Sequence, residues 1–448
     1  MALIASDRKI LIVGLGQSGL SCARFLHAQG RTFAVADSRE NPPGLDVLRS
    51  EVPDVEVRCG EFDMQWFCQF NELLVSPGVS VKTPAVAVAM ESGAAIRGDI
   101  DLFAEHAEAP ILAITGSNGK TTVTALVGDM ARKAGVDVAV GGNIGTPALD
   151  LLSRKAELYV LEVSSFQLET TASLGARAAT ILNISDDHMD RYDSRMAYYQ
   201  AKQRIYNGAQ VAVVNLDDAL STPMTPGKME FLCFGHHRVN PDTFSTREDE
   251  DGLWITWGLD NLINTRELRL VGLHNVSNVM AALALGHAAG LPMPAMLDAA
   301  REFSGLPHRC ERVAIIDQVE YINDSKGTNV GATVAAINSL AGADRKLVLI
   351  AGGEGKGADF DPLLEPVRRH CHAVILIGRD AALIAEALED SVTLIHSQSL
   401  ADALQSARQA AEPGDRVLFS PACASFDMFR DYKDRGEQFA QLAGGLES

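Results

Sequence analysis

Residues 111–122 read ILAITGSNGKTT, an apolar segment that leads into a glycine-punctuated turn. The apolar residues at its start predict a short buried strand, and apolar residues between 123 and 130 recur at helical spacing, which predicts a helix directly after the turn. A strand, a glycine loop and a helix N-terminus in that order present backbone N–H groups and a positive dipole end to an anion. The stretch therefore predicts a phosphate-binding loop, in which Lys120 supplies a charge and Thr121 can offer a hydroxyl to Mg²⁺.

The loop departs at one position from the usual pattern G-x-x-x-x-G-K-[ST]. Ile114 stands where the first glycine is expected, and the only earlier glycine of the loop is Gly116. We therefore expect a shortened variant. A glycine-rich turn that binds no ligand is the alternative, but the strand before it and the helix after it favour a nucleotide site.

Length, composition and charge bound the class of protein. A chain of 448 residues is too long for one hydrophobic core and suggests three domains. The net charge of −19 argues against nucleic acid or an anionic membrane as the main partner. We expect a cytoplasmic protein, because no apolar run is long enough for a membrane span and the N-terminus does not resemble a secretory signal. Seven scattered cysteines without C-x-x-C spacing make disulfides and a zinc site poor expectations.

A second glycine loop lies near the N-terminus. Residues 9–16 predict a buried strand that ends in the sequence GLGQSG, Gly14 to Gly19, and a later strand ends on Asp37. This is the spacing of a dinucleotide fingerprint, and a nicotinamide-dependent dehydrogenase is one interpretation. The motif requires only a phosphate over the first turn and a ribose hydroxyl near the second strand, so a UDP-sugar satisfies it equally well. The fingerprint alone leaves both ligands open.

Strand and helix patterns along the chain predict an α/β protein of three domains. We expect a Rossmann-like domain over residues 1–98, a central domain with a P-loop ATPase-like parallel sheet over residues 99–306, and a second Rossmann-like α/β domain over residues 307–448. Residues 105–110, EHAEAP, read as a linker.

Several local elements are also predicted. A small antiparallel addition is expected within residues 230–272, with strand character at 231–234, 253–257 and 268–272. One helix is predicted at 194–206 and the terminal helix at 427–442.

Polar residues follow the strands of the predicted central sheet. Asn143, Glu162 and His188 each lie at or just beyond the end of such a strand. Ligands of open parallel sheets bind beyond the carboxyl ends of the strands, so these side chains should converge on Lys120. Glu162, His188 and Thr121 would then offer oxygen and imidazole ligands to Mg²⁺. A surface or helix-capping role is the alternative for His188, whereas an unpaired buried Glu162 is costly and needs a cation.

The motifs together resemble those of the Mur ligases, and the resemblance covers the whole chain. Its third-domain motifs are similar to those of the branch that adds D-glutamate to UDP-N-acetylmuramoyl-L-alanine, and the Asp-Asn-Pro-Arg motif of the diaminopimelate branch is absent. The motifs are Thr115–Thr122, Gly142–Gly145, Glu162–Gln167, Asp187–Asp190, Lys202, His274–Asn278, His308–Arg309, Asn323–Asn329 and Ser420–Ser425.

The resemblance implies an ATP-dependent amide ligase of peptidoglycan precursor synthesis, a step of cell wall biogenesis that supports cell shape and division. Its substrates would be ATP, UDP-N-acetylmuramoyl-L-alanine and D-glutamate. The last two would be joined through an acyl phosphate, and two Mg²⁺ ions would assist the reaction. The chain would act as a monomer, without nucleic acid or membrane as a partner.

The resemblance also implies a role for each site residue. Catalysis would rest on Lys120, Glu162, His188 and Lys202. The expected ATP contacts are Gly116, Ser117, Asn118, Gly119, Lys120, Thr121, Thr122, Asn275, Asn278, Arg309 and Asp324. The expected contacts of the UDP substrate are Gly14, Gly16, Gln17, Ser18, Gly19, Asp37, Ser38, Arg39, Ser76, Pro77, Gly78, Asn143, Ser164 and Gln167. The expected D-glutamate contacts are Lys326, Thr328, Lys356, Ser425 and Phe426.

The predicted metal ligands are Thr121, Glu162, His188 and Lys202. A lysine ammonium beside metal ions and other cations would be repelled, and the neutral amine reacts with CO₂, so Lys202 is expected to be a carbamate, as its match is in similar ligases. A solvated helix lysine is the alternative for Lys202, and a solvated loop lysine is the alternative for Lys356.

The sequence leaves three other functions open. A dehydrogenase would bind NAD at the N-terminal loop, and a nucleotide-gated scaffold would bind ATP without forming an amide. Folylpolyglutamate synthase shares the central and C-terminal domains, but is not expected to carry this N-terminal unit.

Overall fold

The computed structural model describes residues 9–189, 191–225, 227–238, 240–270, 272–341, 346–389 and 391–446. Asp190 and Val271, which belong to two of the predicted segments, lie outside the described residues. Three sheets organise the chain, as the α/β interpretation predicts.

The first sheet is entirely parallel and has the strand order β3-β2-β1-β4-β5. Its first strand is buried throughout, which explains why the unbroken apolar run at the N-terminus forms an inner strand. This order is Rossmann-like, as predicted. The elements are β1 (Ile10–Val13), α1 (Gln17–Ala28), β2 (Phe33–Asp37), α2 (Leu45–Glu51), β3 (Glu56–Cys59), α3 (Met64–Phe67), β4 (Glu72–Val75), α4 (Pro84–Glu91) and β5 (Ala95–Arg97).

The central sheet has nine strands in the order β14-β13-β12-β11-β10-β9-β6-β8-β7. Its elements are α5 (Asp99–His106), β6 (Ile111–Thr115), α6 (Lys120–Lys133), β7 (Val138–Gly142), β8 (Leu158–Glu162), α7 (Ser165–Thr170), β9 (Ala178–Ile181), α8 (Arg195–Gln203), β10 (Val211–Asn215), β11 (Glu230–Gly235), β12 (Thr243–Asp249), β13 (Gly252–Trp257), β14 (Asp260–Asn264), α9 (Leu273–Ala288) and α10 (Met293–Glu302). Helices α6, α9 and α10 cover one face, and apolar residues of the first domain share a continuous core with the other face.

The predicted antiparallel addition is partly wrong. Strand β11 pairs in parallel with both β10 and β12, so it extends the main sheet, and only β12, β13 and β14 pair antiparallel. Residues 268–270 form no strand, because Asn264 caps a 3-10 turn at Thr265–Glu267 and the chain then enters α9. The apolar alternation there reflects packing of Leu268 and Leu270 on the central core.

The third sheet has the order β15-β16-β20-β17-β18-β19, parallel except for the edge strand β15. Its elements are β15 (Glu311–Ile316), β16 (Val319–Asn323), α11 (Val330–Leu340), β17 (Leu347–Gly352), α12 (Leu364–His370), β18 (Cys371–Ile377), α13 (Ala381–Ala387), β19 (Thr393–His396), α14 (Leu400–Ala410), β20 (Arg416–Phe419) and α15 (Tyr432–Gly445).

Three predicted element boundaries need correction. The terminal helix begins at Tyr432 and not at residue 427, because the Asp431 side chain accepts from the N–H groups of residues 433 and 434 and caps it. The first two residues of the predicted linker belong to α5, which carries acidic residues in its first turn. The helix predicted at 194–206 ends at Gln203 and continues as a 3-10 turn.

Candidate functional site

The predicted phosphate-binding loop joins the carboxyl end of β6 to the N-terminus of α6. Gly119 occupies the position before the helix with a φ of 82°, a left-handed conformation that favours glycine. A Cβ at this position would lie 2.5 Å from Oδ1 of Asn278, in α9. The absent side chain therefore lets the loop approach α9, and the loop reaches the two asparagines predicted to bind ATP.

The segment after β9 braces the loop. The backbone N–H of Asn118 donates to Oδ1 of Asn183 at 2.8 Å, and the Asn183 amide donates back to the Asn118 carbonyl at 3.1 Å. Ser117 Oγ donates to the carbonyl of Ser185 at 3.0 Å and lies 3.0 Å from the Tyr198 hydroxyl. Sequence reasoning missed Asn183, Ser185 and Tyr198. The sequence could have pointed to Asn183 and Ser185, because they lie at the carboxyl end of a predicted strand. It gave no such indication for Tyr198.

Lys202 is buried beneath the loop, with 2% of its surface exposed. Its Nζ donates to the Gly116 carbonyl at 2.9 Å and lies 4.7 Å from the ring centre of Tyr198. The interpretation of Lys202 as a solvated helix lysine is therefore wrong. Burial, with a smaller contribution from the charge of Lys120, lowers the pKa of Lys202 well below its usual range.

Glu162 ends β8 beside the loop and is also buried. Its Oε1 accepts from the side-chain amide of Asn143 at 2.9 Å. Its Oε2 is buried with no hydrogen-bond partner among the described residues. An unpaired buried carboxylate oxygen is unfavourable, so this atom fits a bound cation.

His188 follows β9 with a φ of 59°, on the same side of the sheet. Its ring lies 4.7 Å from the ring of Phe166, and its Nε2 lies 3.6 Å from Oδ2 of Asp187. Burial has the largest effect on its pKa and lowers it. Asp187 raises the pKa, and nearby lysines lower it further. The pKa of His188 is lowered, which favours the neutral imidazole that binds metal ions.

The third domain reaches the loop through Arg309. The Arg309 guanidinium donates to Oγ1 of Thr121 at 2.5 Å, which joins residues 188 positions apart. The backbone N–H of Cys310 donates to Asp324 at 3.2 Å, and burial raises the pKa of Asp324 to about 6. Asn329, at the start of α11, donates to Asp187 at 3.2 Å. Two domains therefore meet around one loop.

A cavity of about 310 Å³ opens between these domains. Of the predicted ATP residues it is lined by Asn118, Gly119, Thr122, Asn275, Asn278, Arg309 and Asp324. Lys326, predicted to contact the amino acid, lines the same cavity. His274 also lines the cavity, and its Nδ1 is buried without a partner among the described residues. Burial lowers the pKa of His274 to about 4. His274 belongs to a recognised motif but had no predicted role.

The N-terminal glycine loop is compact. A Cβ at Gly19 would lie 1.9 Å from the carbonyl oxygen of Gly14, so residue 19 must be glycine. Ser76 donates to that carbonyl at 2.7 Å, which brings the loop after β4 beside the first turn. Asp37 accepts from the N–H of Leu15 at 2.7 Å and pairs with the Arg39 guanidinium. Gln17 and Gly78 are exposed on the same side.

The predicted substrate contacts of the central domain also have structural roles. Ser164 caps α7 by accepting from the N–H of Gln167 at 3.2 Å. The Gln167 side chain donates to Asp99 at 3.2 Å. Asn143 holds Glu162 through both its side chain and its backbone. These hydrogen bonds hold Asn143, Ser164 and Gln167 in fixed positions.

The predicted amino-acid contacts are spread over two regions of the third domain. Lys326 is largely buried, with its Nζ 4.1 Å from the ring centre of Tyr432, and burial lowers its pKa to about 8. Thr328 is half-buried two residues further on. Lys356, Ser425 and Phe426 follow β17 and β20, where residues 354 and 424 form an isolated bridge. Lys356 and Phe426 are exposed.

No three histidine, cysteine, aspartate or glutamate side chains come together as a metal-binding group within the described ranges. Of the predicted ligands, Glu162 carries an oxygen without a hydrogen-bond partner among the residues that the structure describes, whereas the Thr121 hydroxyl accepts from Arg309. None of the helices in the described part of the chain combines the length and apolar character needed to cross a bilayer.

Comparison with protein families matches all three domains. The N-terminal domain of MurD-like Mur ligases matches residues 8–98, the Mur ligase middle domain matches residues 114–286, and the glutamate ligase domain of Mur ligases matches residues 308–423. A UDP-N-acetylmuramoylalanine–D-glutamate ligase from Marinobacter nauticus is 67% identical over 446 residues, with 100% of each chain covered. A protein with the same name from Pseudomonas putida is 56% identical, with 100% of this chain and 99% of the other covered.

Solved structures show the same fold at low identity. UDP-N-acetylmuramate-alanine ligase MurC from Thermotoga maritima has a TM-score of 0.60 at 18% identity, covering 98% of this chain and 100% of the other. Folylpolyglutamate synthase from Mycobacterium tuberculosis, complexed with ADP, has a TM-score of 0.58 at 16% identity and covers 77% of this chain and 92% of the other.

Proposed function

The chain belongs to the Mur ligase family, and we propose that it joins D-glutamate to UDP-N-acetylmuramoyl-L-alanine with the cleavage of ATP to ADP and phosphate. One observation carries the proposal: relatives with this activity in their names match the chain along its entire length. All three units that such a reaction needs are therefore present. Family membership also argues against the dehydrogenase interpretation of the N-terminal glycine loop. We propose domain boundaries at residues 98/99 and 306/307, between the three sheets.

The first chemical step is a phosphoryl transfer. An oxygen of the acceptor carboxylate attacks the γ-phosphorus of ATP, the bond to the β-phosphate oxygen breaks, and ADP leaves an acyl phosphate behind. The loop before α6 supplies N–H groups and a dipole to the phosphates, and Lys120 supplies a charge for the group as it moves. Asn275, Asn278 and Arg309 line the adjoining cavity, which suits the rest of the nucleotide.

Residues beside the loop fit divalent metal ions. Glu162 offers a buried oxygen that has no hydrogen-bond partner in the part of the chain that the structure describes, and Thr121 lies at the start of α6. Glu162 and Thr121 would hold one Mg²⁺, and His188 and the carbamate of Lys202 would hold a second. When bound, these ions neutralise charge on the phosphoryl oxygens. Arg309 lies beside the proposed metal site, because its guanidinium contacts the Thr121 hydroxyl.

Lys202 is proposed to react with CO₂. Its buried position beside a second lysine favours the neutral amine, whose nitrogen forms a bond to carbon and loses a proton to water. The product is an anion that can serve as an oxygen ligand. Its role in the reaction would be to hold a metal ion, with no proton transfer to substrate.

The second step forms the amide. The amine of D-glutamate attacks the acyl carbon, phosphate leaves, and the nitrogen loses a proton to solvent. Lys326, Thr328, Lys356, Ser425 and Phe426 are proposed to receive the amino acid, and the two lysines suit its carboxylates. No side-chain nucleophile is needed, so positioning and charge neutralisation supply the catalysis. ATP and UDP-linked precursors are cytoplasmic metabolites, so we propose that the reaction takes place in the cytoplasm. We also propose that the chain acts as a monomer.

The decisive experiment measures phosphate release from ATP with UDP-N-acetylmuramoyl-L-alanine present, across a panel of D- and L-amino acids. We expect release to depend on the acceptor and to be fastest with D-glutamate, with the amide product visible by mass spectrometry. Preference for another amino acid would reassign the third domain. Nucleotide binding without any amide formation would support the scaffold alternative.

A further inference from the structure

Arg191 lies between the loop after β4, in the first domain, and His188, in the central domain. It follows β9, three residues after His188, and its own backbone N–H donates to the His188 carbonyl at 3.0 Å. Its side chain contacts the first domain. The guanidinium donates to the carbonyl oxygens of Pro77 at 3.3 Å and Val79 at 3.2 Å.

Those two carbonyls belong to the loop after β4, which carries the expected UDP-substrate contacts Ser76, Pro77 and Gly78, and we propose that this loop is part of the acceptor site. The same guanidinium pairs with Oε2 of Glu169, in α7, at 2.8 Å. Its centre also lies 4.6 Å from the ring centre of Phe166. The Arg191 and Glu169 side chains are 15% and 13% exposed, so this pair is only weakly screened by solvent.

The contacts form a continuous path between the domains. The carbonyls at residues 77 and 79 hold Arg191, Arg191 lies on Phe166, and the Phe166 ring lies 4.7 Å from that of His188. Only an arginine can direct several N–H groups from one planar fork to two carbonyls and a carboxylate. A second contact between the same segments, Lys82 with Asp193, is a single ion pair between side chains that are 59% and 80% exposed.

We propose that Arg191 is a positioning residue that sets the acceptor-binding loop 76–79 in register with His188. The acceptor is held at its uridine end by the first domain, and its carboxylate must reach the γ-phosphate above the central sheet. A displacement of the loop relative to His188 would misplace the carboxylate at the phosphoryl group, and small misplacements strongly reduce rates. This inference rests on the proposed function, since it takes loop 76–79 as part of the acceptor site.

The test compares Arg191→Gln, Arg191→Lys and the control Lys82→Gln in steady-state kinetics. We expect Arg191→Gln to raise the KM for the acceptor at least tenfold and to lower kcat, while the KM for ATP changes less than twofold. For Arg191→Lys, both the acceptor KM and kcat should lie between those of Arg191→Gln and the native enzyme, because lysine keeps the charge but lacks the planar fork of N–H groups. Lys82→Gln should behave as the native enzyme.

A structural role would give a different pattern. Equal losses for ATP and acceptor, or equal effects of Lys82→Gln and Arg191→Gln, would overturn the proposal. If Arg191→Gln does not fold, Glu169→Gln provides the second variant, since it removes the carboxylate that orients Arg191 and should raise the acceptor KM selectively.

Hydrogen exchange separates this inference from the proposed function. Backbone amides of Ser76 and of residues 78–80 should exchange faster in Arg191→Gln than in the native chain, with exchange in α6 unchanged. If the native enzyme does not form the amide, the proposed function fails, yet faster exchange in this loop would still support the contact. Unchanged exchange in the loop would overturn the role of Arg191 whatever the activity.

Discussion

The ammonium groups of Lys120 and Lys202 donate to one acceptor, the carbonyl oxygen of Gly116, at 2.8 and 2.9 Å. Two cations this close repel each other. Lys120 also donates to the Ser117 carbonyl at 2.9 Å, whereas the second contact of Lys202 is the longer one to Oγ1 of Thr115 at 3.4 Å. Lys202 is the more deeply buried of the two, so it is the better candidate for the neutral form. This shared oxygen is the physical basis for proposing that Lys202 becomes a carbamate.

The first prediction tests that carbamate. Lys202→Ala should lose more than about 100-fold in kcat, because a metal ligand is removed. Acetate or formate should restore part of the activity by placing a carboxylate in the emptied space, whereas methylamine at the same concentration should not. A variant that is fully active without any additive would eliminate the carbamate.

The second prediction separates chemistry from binding at Lys120. Lys120→Ala should lower kcat by about 10²- to 10³-fold, the loss typical of removing one group that stabilises a transition state. The dissociation constant of the acceptor, measured by calorimetry, should change less than about threefold, because the charge of Lys120 acts on the γ-phosphate as it moves and not on the bound acceptor. An unchanged turnover number would show that this lysine does not act on the moving phosphoryl group.

The third prediction concerns pH and Lys326, whose pKa is lowered by burial to about 8. Its side chain is a cation below that pH and becomes neutral as the pH rises through it. We expect the KM for D-glutamate to rise above pH 8, approaching tenfold per unit, because the acidic substrate loses a charged partner. Lys326→Arg should remove this rise between pH 7 and 9, and Lys356→Gln should keep it. A pH-dependent KM for ATP alone would reassign Lys326 to the nucleotide.

The fourth prediction uses two glycines at opposite ends of α6. Gly119 has a φ of 82° and Gly135 a φ of 78°, but only a Cβ at residue 119 would meet another side chain, that of Asn278. Alanine at either position should lower the free energy of unfolding by about 1–2 kcal/mol through backbone strain. Only Gly119→Ala should also raise the KM for ATP, by about tenfold or more. Similar ATP kinetics in both variants would show that the close approach to α9 does not shape the nucleotide site.

The fifth prediction identifies the ligand of the N-terminal glycine loop. Calorimetry should detect UDP binding, and replacing Gly19 with alanine should abolish it, because the new Cβ would overlap the Gly14 carbonyl. ATP binding to the central domain serves as the control and should persist in that variant. Tight NADH binding that UDP does not displace would restore the dehydrogenase interpretation.

Much of the architecture was readable from the sequence because local pattern determines which element forms and which face it buries. The apolar run at 111–114 forms β6, the helix after it begins at Lys120, and Glu162 ends a buried strand. A carboxylate in such a place needs a partner, so its importance could be inferred without coordinates.

Only the tertiary structure decided how distant segments meet. The helix around Lys202 is polar in sequence, yet that lysine is buried, because the phosphate loop and the segment after β9 close over it. The direction of β11 depends on which strand it pairs with, and strand character alone does not encode that choice. The contacts of Arg309 with Thr121 and of Arg191 with loop 77–79 join residues more than 100 positions apart. Such contacts form when whole domains pack, so the local periodicity of the sequence does not predict them.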